Sequence, residues 1–310
     1  MVEKLRDILE AQQFDRSFLE LDLFPLSNDM KDAAVRKDRH SLKNKIVCHL
    51  FYEPSTRTRI SFETATTLLG GTALSTENAA EFSSAIKGET LEDTARIIEG
   101  YYHDAIVLRH KEDGAASRAA SVVNIPVLNA GDGKGQHPTQ ALLDVYTIHE
   151  HFKGELNGLR VAMVGDLAHG RTINSLSYLL AKFEGVSIDF VSPPGFGVQQ
   201  GIKDYLFKHS VPFFENKTLK DATKIADVVY MTRVQDERLA GSEDYTPYKK
   251  DYRMDLAMLE NLPQSSIVMH PLPRNDELPP EVDVDKRVIP FKQAQNGLFV
   301  RMALLEMLLA

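Results

Sequence analysis

Short apolar runs alternate along this chain with longer segments of helical periodicity. Lys45-Ile46-Val47-Cys48-His49-Leu50-Phe51-Tyr52 predicts a buried strand, and Ser55 to Leu69 predicts a helix closed by Gly70-Gly71. Asp104-Ala105-Ile106-Val107-Leu108-Arg109 and Val127-Leu128-Asn129-Ala130 predict two more strands. His137 to Phe152 follows as a helix with Pro138 in its first turn, where proline is tolerated. The pattern then restarts. Arg160 to Gly165 predicts a strand, Thr172 to Phe183 a helix, and Ser187 to Val191, Asp227 to Met231 and Ser266 to Met269 further strands. Phe291 to Leu309 closes the chain as an amphipathic helix. Strand-sized apolar runs separated by helices imply parallel sheets covered on both faces. The predicted fold class is therefore α/β, with two doubly wound domains. The interruption at Gly154-Glu155-Leu156-Asn157-Gly158 puts their boundary near 150, which gives domains 1–150 and 151–290 and a last helix over 291–310.

Composition narrows the function. A chain of 310 residues suits two domains, and 43% hydrophobic with 26% charged residues suits packed cores rather than disorder. A net charge of −8 argues against a nucleic-acid partner. One cysteine, Cys48, permits no intrachain disulfide and no cysteine-based zinc site, and in a strand it reads as a small core hydrophobe. His149-Glu150-His151 lacks the spacing of a zinc site, so no metal is expected. The first residues contain no apolar signal region, and no apolar run approaches the ~20 residues of a membrane span. A cytoplasmic location without a membrane partner is the expectation.

The chemistry sits just after the strands, where open α/β sheets gather ligands. Glu53-Pro54-Ser55-Thr56-Arg57-Thr58-Arg59 joins the first strand to its helix. It offers three hydroxyls, two guanidinium groups and the unpaired N–H groups of a helix start, a combination that suits phosphate. The competing reading is an ordinary capped helix with a basic face, but cations at a helix N-terminus are unfavourable without an anion. No GxxxxGK[ST] or GxGxxG occurs; Gly195-Phe196-Gly197-Val198-Gln199-Gln200 lacks the third glycine and reads as a turn. A small phosphorylated ligand fits better than a nucleotide. Arg109-His110 and Gly131-Asp132-Gly133-Lys134-Gly135-Gln136-His137-Pro138-Thr139-Gln140 follow the next strands. A histidine at a helix start is biased to be neutral and can donate to a polarised oxygen, although His137 could equally serve only as a cap. In the second half, Arg171, Arg233 and Arg274 each follow a strand. Each alone could be a surface ion pair; three together in an acidic chain suggest a shared site for a carboxylate-bearing substrate.

Phe51-Tyr52-Glu53-Pro54-Ser55-Thr56-Arg57-Thr58-Arg59, His137-Pro138-Thr139-Gln140 and His270-Pro271-Leu272-Pro273-Arg274 resemble three motifs of the aspartate/ornithine carbamoyltransferase family. The resemblance spans nearly the whole chain. It implies a C-terminal helix packed back on the first domain, a carbamoyl-phosphate-binding first domain and an amino-acid-binding second domain. Ser55, Thr56, Arg57 and Thr58 would hold the phosphate; Thr58, Arg109 and His137 would stabilise the carbonyl oxygen, with Gln140 and the backbone of Leu272 and Pro273 near the carbamoyl group. Ser83 and Lys87 would enter the site from a neighbouring subunit of a homotrimer. Thr232-Arg233-Val234-Gln235 favours aspartate, because Arg233 and Gln235 would meet its β-carboxylate while Arg171 and Lys87 also serve aspartate, Arg171 at its α-carboxylate. Ornithine enzymes typically carry a Ser-Met-Gly loop and a late cysteine; in this chain the loop is absent and the cysteine position is Pro271. The implied products are N-carbamoyl-L-aspartate and phosphate, a step of pyrimidine synthesis, with no cofactor. Glu53 would pair with Arg171 and Arg238 as the domains close. The resemblance also allows a zinc-carrying, nucleotide-binding regulatory chain in a dodecamer.

Two departures stand out. Pro25 interrupts an early helix, which then begins or kinks there. Ala168-His169 replaces a Lys-Tyr pair of regulated members, which removes a usual partner of Glu243. Three rivals stay open: transfer to ornithine or an acylated ornithine, a chain that has lost catalysis, and a plain anion-binding protein.

Overall fold

The structure, a computed structural model, describes residues 5–79, 84–133, 135–215, 217–233 and 246–310. Its apolar runs form two parallel sheets. In the first, β1 (Ile46–Phe51), β2 (Thr72–Thr76), β3 (Ala105–His110) and β4 (Val127–Asp132) lie in the order β2-β1-β3-β4. In the second, β5 (Arg160–Val164), β6 (Ser187–Val191), β7 (Phe213–Phe214), β8 (Val228–Met231) and β9 (Ile267–Met269) lie in the order β7-β6-β5-β8-β9. Helices α1 (Phe24–Arg36), α2 (Thr56–Leu68), α3 (Leu91–Gly100), α4 (Ala115–Ala120) and α5 (Pro138–His151) accompany the first sheet in sequence. Helices α6 (Arg171–Leu180), α7 (Gln200–Lys208), α8 (Leu219–Thr223), α9 (Leu256–Leu259) and α10 (Pro290–Leu309) follow. Pro25 lies in the first turn of α1, just after a π-helical turn over Phe18–Leu23, so the early helix changes character where the proline removes a donor.

Both strand orders reverse direction once, between β1 and β3 and between β5 and β8. Such switch points open a crevice at the carboxyl ends of the strands, because neighbouring connections leave on opposite faces. The central strands are buried on both faces: Ile106, Val107 and Leu108 in β3 and Val161 to Val164 in β5 are almost wholly covered. Edge strand β2 instead alternates threonine, serine and a half-exposed Leu74, so its sequence carries no apolar run and predicts no strand. Cys48 lies in β1, where burial pushes its thiol up to about 11.

The chain divides into Met1–Leu143 with Gln295–Ala310, and Asp144–Ala294. The division falls before the expected boundary at 150, inside α5, and a second crossing falls inside α10 rather than at 290. The last turns of α5 belong with the second sheet because buried Asp144 accepts from Tyr230 of β8. The C-terminal part of α10 packs on the first unit. There Glu306 accepts from the Arg39 guanidinium and from Ser41 Oγ (2.6 Å), while Arg301 lies over the Phe62 ring and donates to Ser61 Oγ at 2.9 Å.

Candidate active site

In the first unit, parallel pairing sets Phe51 beside Arg109 and His110 beside Asp132. The segments that leave β1, β3 and β4 therefore start side by side. Tyr52 N–H donates to the Arg109 carbonyl at 2.8 Å, which carries the pairing one residue past β1. Helix α2 begins at Thr56, and the Ser55 side chain makes no capping bond despite its position. Ser55 is half-buried, Thr56 and Arg57 are exposed, and Thr58 is buried. Arg109 belongs to β3 itself rather than to the loop after it; its guanidinium donates to the Ala130 carbonyl at 3.1 Å and lies 3.7 Å from Glu53 Oε2. The Ala130 bond ties the Arg109 side chain to β4.

The loop after β4 is shaped around a glycine. Gly133 has φ +43, and a Cβ there would collide with Asp113 Oδ1. Asp132 Oδ2 accepts from Gly114 N–H at 3.0 Å, and Asn129 Oδ1 from Gly131 N–H at 2.8 Å. This scaffold delivers His137 to the start of α5 with Gln140 one turn on, both buried. Ser55–Thr58, Arg109, His137 and Gln140 thus converge on the carboxyl ends of β1, β3 and β4. Lys87 ends a short 3-10 turn (Ser84–Lys87) and is exposed. Ser83 lies outside the described residues.

Arg59 does not join this cluster. Its guanidinium pairs with Glu63 at 2.7 Å and Glu77 at 2.9 Å. Glu77, which follows β2, lies too far along the chain for the sequence to have shown the pairing.

In the second unit the β5/β8 switch point brings two strand ends together. Gly165 has φ +116, and a Cβ there would meet the Thr232 carbonyl at 2.5 Å. Thr232 Oγ1 donates to the Val164 carbonyl at 2.9 Å. The connection carrying Arg171 thereby leaves next to the one carrying Arg233. Arg171 opens α6 and is buried; Arg233 is half-buried. Gln235, Arg238 and Glu243 lie outside the described residues. Sequence reasoning missed a buried pair in the first of these connections: Asp166 accepts from the His169 backbone at 3.2 Å and lies 3.0 Å from His169 Nδ1. The third arginine of the second half is not available: Arg274 is clasped by Asp283 at 2.5 and 2.6 Å and lies over the Phe291 ring. The turn after β9 holds Leu272, with φ +56, and Pro273.

Of the Gly195–Gln200 segment, Gly195 lies in a turn closed by Phe196 N–H donating to the Pro193 carbonyl at 3.0 Å, and Gln200 opens α7.

Hydroxyls, Arg57, Arg109 and a helix start stand at or after the strand ends at one switch point, and Arg171 and Arg233 follow those at the other, an arrangement that suits anionic small molecules. The model for the aspartate/ornithine carbamoyltransferase carbamoyl-P binding domain matches residues 6–150, and that for the Asp/Orn binding domain matches residues 157–308. The chain belongs to the aspartate/ornithine carbamoyltransferase family and is a carbamoyltransferase. The chloroplastic aspartate carbamoyltransferase of Arabidopsis thaliana is 52% identical over 99% of this chain and 78% of its own length. The aspartate carbamoyltransferase catalytic subunit of Methanocella arvoryzae is 44% identical over 98% of this chain and 97% of its own. Aspartate transcarbamoylase from Trypanosoma cruzi in complex with N-(phosphonacetyl)-L-aspartic acid matches with a TM-score of 0.92 at 37% identity, over 98% of this chain and 96% of that one. The cytoplasmic expectation does not stand. Relatives at 50–52% identity from Arabidopsis thaliana, Oryza sativa and Pisum sativum are chloroplastic enzymes.

Proposed function

We propose that this chain transfers the carbamoyl group of carbamoyl phosphate to the α-amine of L-aspartate, giving N-carbamoyl-L-aspartate and phosphate. The supporting observation is the convergence of Ser55–Thr58, Arg109, His137 and Gln140 at the first switch point. Ser55, Thr56, Arg57 and Thr58 take the phosphate, whose charge suits the start of α2. Arg171 takes the α-carboxylate of aspartate; Arg233 and Gln235 take the β-carboxylate. A cationic ornithine side chain would be repelled at Arg233.

The neutral amine attacks the carbonyl carbon, a C–N bond forms, the bond from that carbon to the phosphate oxygen breaks, and one amine proton leaves with the departing phosphate. Negative charge develops on the carbonyl oxygen, where Thr58, Arg109 and His137 are donors fixed in advance. Gln140 and the backbone of Leu272 and Pro273 orient the carbamoyl group. The departing phosphate is held by the α2 start and by Lys87. No protein nucleophile takes part; much of the rate comes from positioning two bound anions.

The assembly is a homotrimer in which Ser83 and Lys87 serve the neighbouring site, and the product feeds pyrimidine synthesis in a plastid. A dodecamer with a regulatory chain is the larger alternative, and light scattering on the purified chain with and without that partner separates the two. The direct test is calorimetric titration with N-(phosphonacetyl)-L-aspartate, which joins both anionic ends. Binding that is lost in Arg109→Ala and Arg233→Ala alike supports the reading, and a flat titration of the unaltered chain contradicts it.

A further inference from the structure

The turn after β9 is held by a chain of hydrogen bonds, buried from Tyr230 to His270 and partly exposed at Leu272, Asn275 and Glu277, that the proposed chemistry does not use. Leu272 N–H donates to His270 Nδ1 at 2.8 Å. A backbone N–H can only donate, so Nδ1 carries the lone pair and the neutral ring carries its proton on Nε2. That Nε2–H faces Glu277 Oε1 at 2.9 Å, and Asn275 N–H donates to the same oxygen at 2.9 Å. On the other side, His270 N–H donates to Gln293 Oε1 at 2.8 Å. Gln293 Nε2 donates to Asp144 Oδ1 at 2.6 Å, and Tyr230 Oη to Asp144 Oδ2 at 2.7 Å. His270, Gln293, Asp144 and Tyr230 are all at most 1% exposed.

A satisfied buried network of this kind specifies one arrangement, because each unmade bond would leave a polar group unpaired away from water. Its end point is the N–H of Leu272, a residue held at φ +56. We infer that His270 is a positioning residue for carbamoyl transfer: by accepting the Leu272 N–H it fixes the Leu272–Pro273 backbone, and Glu277 selects the ring tautomer able to accept. The inference rests on the proposed function, in which that backbone orients the carbamoyl group.

Two substitutions at His270 separate positioning from bulk stability. In His270→Asn the side-chain oxygen sits where Nδ1 sits and keeps an acceptor for Leu272. In His270→Gln the amide reaches Glu277 as Nε2 does and leaves Leu272 N–H without its acceptor. Both variants should lose similar thermal stability. The kcat with aspartate should stay within about fivefold of the parent in His270→Asn and fall about 100-fold in His270→Gln, with the aspartate KM of each within about threefold. Equal kcat in the two variants, whether high or low, overturns the inference. Glu277→Met covers the case in which neither His270 variant folds. It removes the acceptor of Nε2–H and so the selection of the ring tautomer; kcat should fall about tenfold at little changed KM, and parental kcat there overturns the inference. An unaltered chain inactive with aspartate would sink the proposed function itself, whereas an active parent with indistinguishable variants sinks only this inference.

Discussion

At the scale of single residues, what decides a side chain's role is whether its charge is already answered. Arg59 and Arg274 are answered, by Glu63 and Glu77 and by Asp283. Glu63 stands four residues after Arg59 on the same helix, a spacing the sequence shows, whereas Glu77 and Asp283 are separated from their arginines in the chain and are not legible there. If Arg233 meets the β-carboxylate of aspartate, Arg233→Ala should lower kcat/KM for aspartate roughly 10- to 100-fold, the worth of a charge-assisted hydrogen bond. Steady-state kinetics at saturating carbamoyl phosphate reads this, and an unchanged kcat/KM removes Arg233 from the site. His49 makes a different prediction. It is fully buried between β1 and α2, 3.4 Å from Thr66 Oγ1, and burial lowers its pKa to about 4. The unfolded chain binds this proton near 6.5 and the folded one near 4, so its contribution is complete above 6.5 and lost as pH falls towards 4. Across that window the loss is about 3 kcal/mol. Urea unfolding of the parent and of His49→Gln at pH 7 and pH 5 should show the smaller pH dependence in the variant; equal slopes contradict it.

At the scale of elements, sequence patterning revealed the strands that are buried on both faces. β1, β3, β4, β5, β6, β8 and β9 all follow their apolar runs to within one or two residues. It did not reveal β2, whose exposed residues are mostly threonine and serine, or β7, which is only two residues long. Nor could it reveal the network from Asp144 to Glu277, whose members are local neighbours only in the fold. The start of α2 shows the reverse case, a legible motif with an unexpected local role. Ser55 looks like a cap, yet its side chain makes no cap bond. A working N-cap serine costs about 1 kcal/mol when replaced by alanine. Ser55→Ala should therefore leave thermal unfolding almost unchanged while raising the KM for carbamoyl phosphate; a stability loss of about 1 kcal/mol with unchanged KM would make Ser55 a cap and nothing more. At the other end of the chain, Glu306 ties α10 to Arg39 and Ser41. Glu306→Ala should cost about 2 kcal/mol in chemical unfolding, against under about 0.5 kcal/mol for Glu20→Ala at the more exposed Arg16–Glu20 pair. Equal costs would show that Glu306 does not anchor the helix.

At the scale of the whole molecule, the proposed function gives each of the two switch points one anion to hold, with the motifs that would hold them spread from Ser55 to Pro273. If Lys87 serves a neighbouring subunit, a mixture of Lys87→Ala and Arg109→Ala chains, dissociated and reassembled together, should recover activity that neither has alone. A mixture as inactive as its parts would confine each site to one chain. The most direct measurement is carbamoyl transfer by the purified chain, with aspartate and ornithine compared side by side and both the ureido product and released phosphate followed. Turnover with aspartate and none with ornithine is the expected result. Turnover with ornithine would contradict the role of Arg233 in meeting a carboxylate, and phosphate release without a carbamoylated amino acid would contradict transfer by the first-domain cluster.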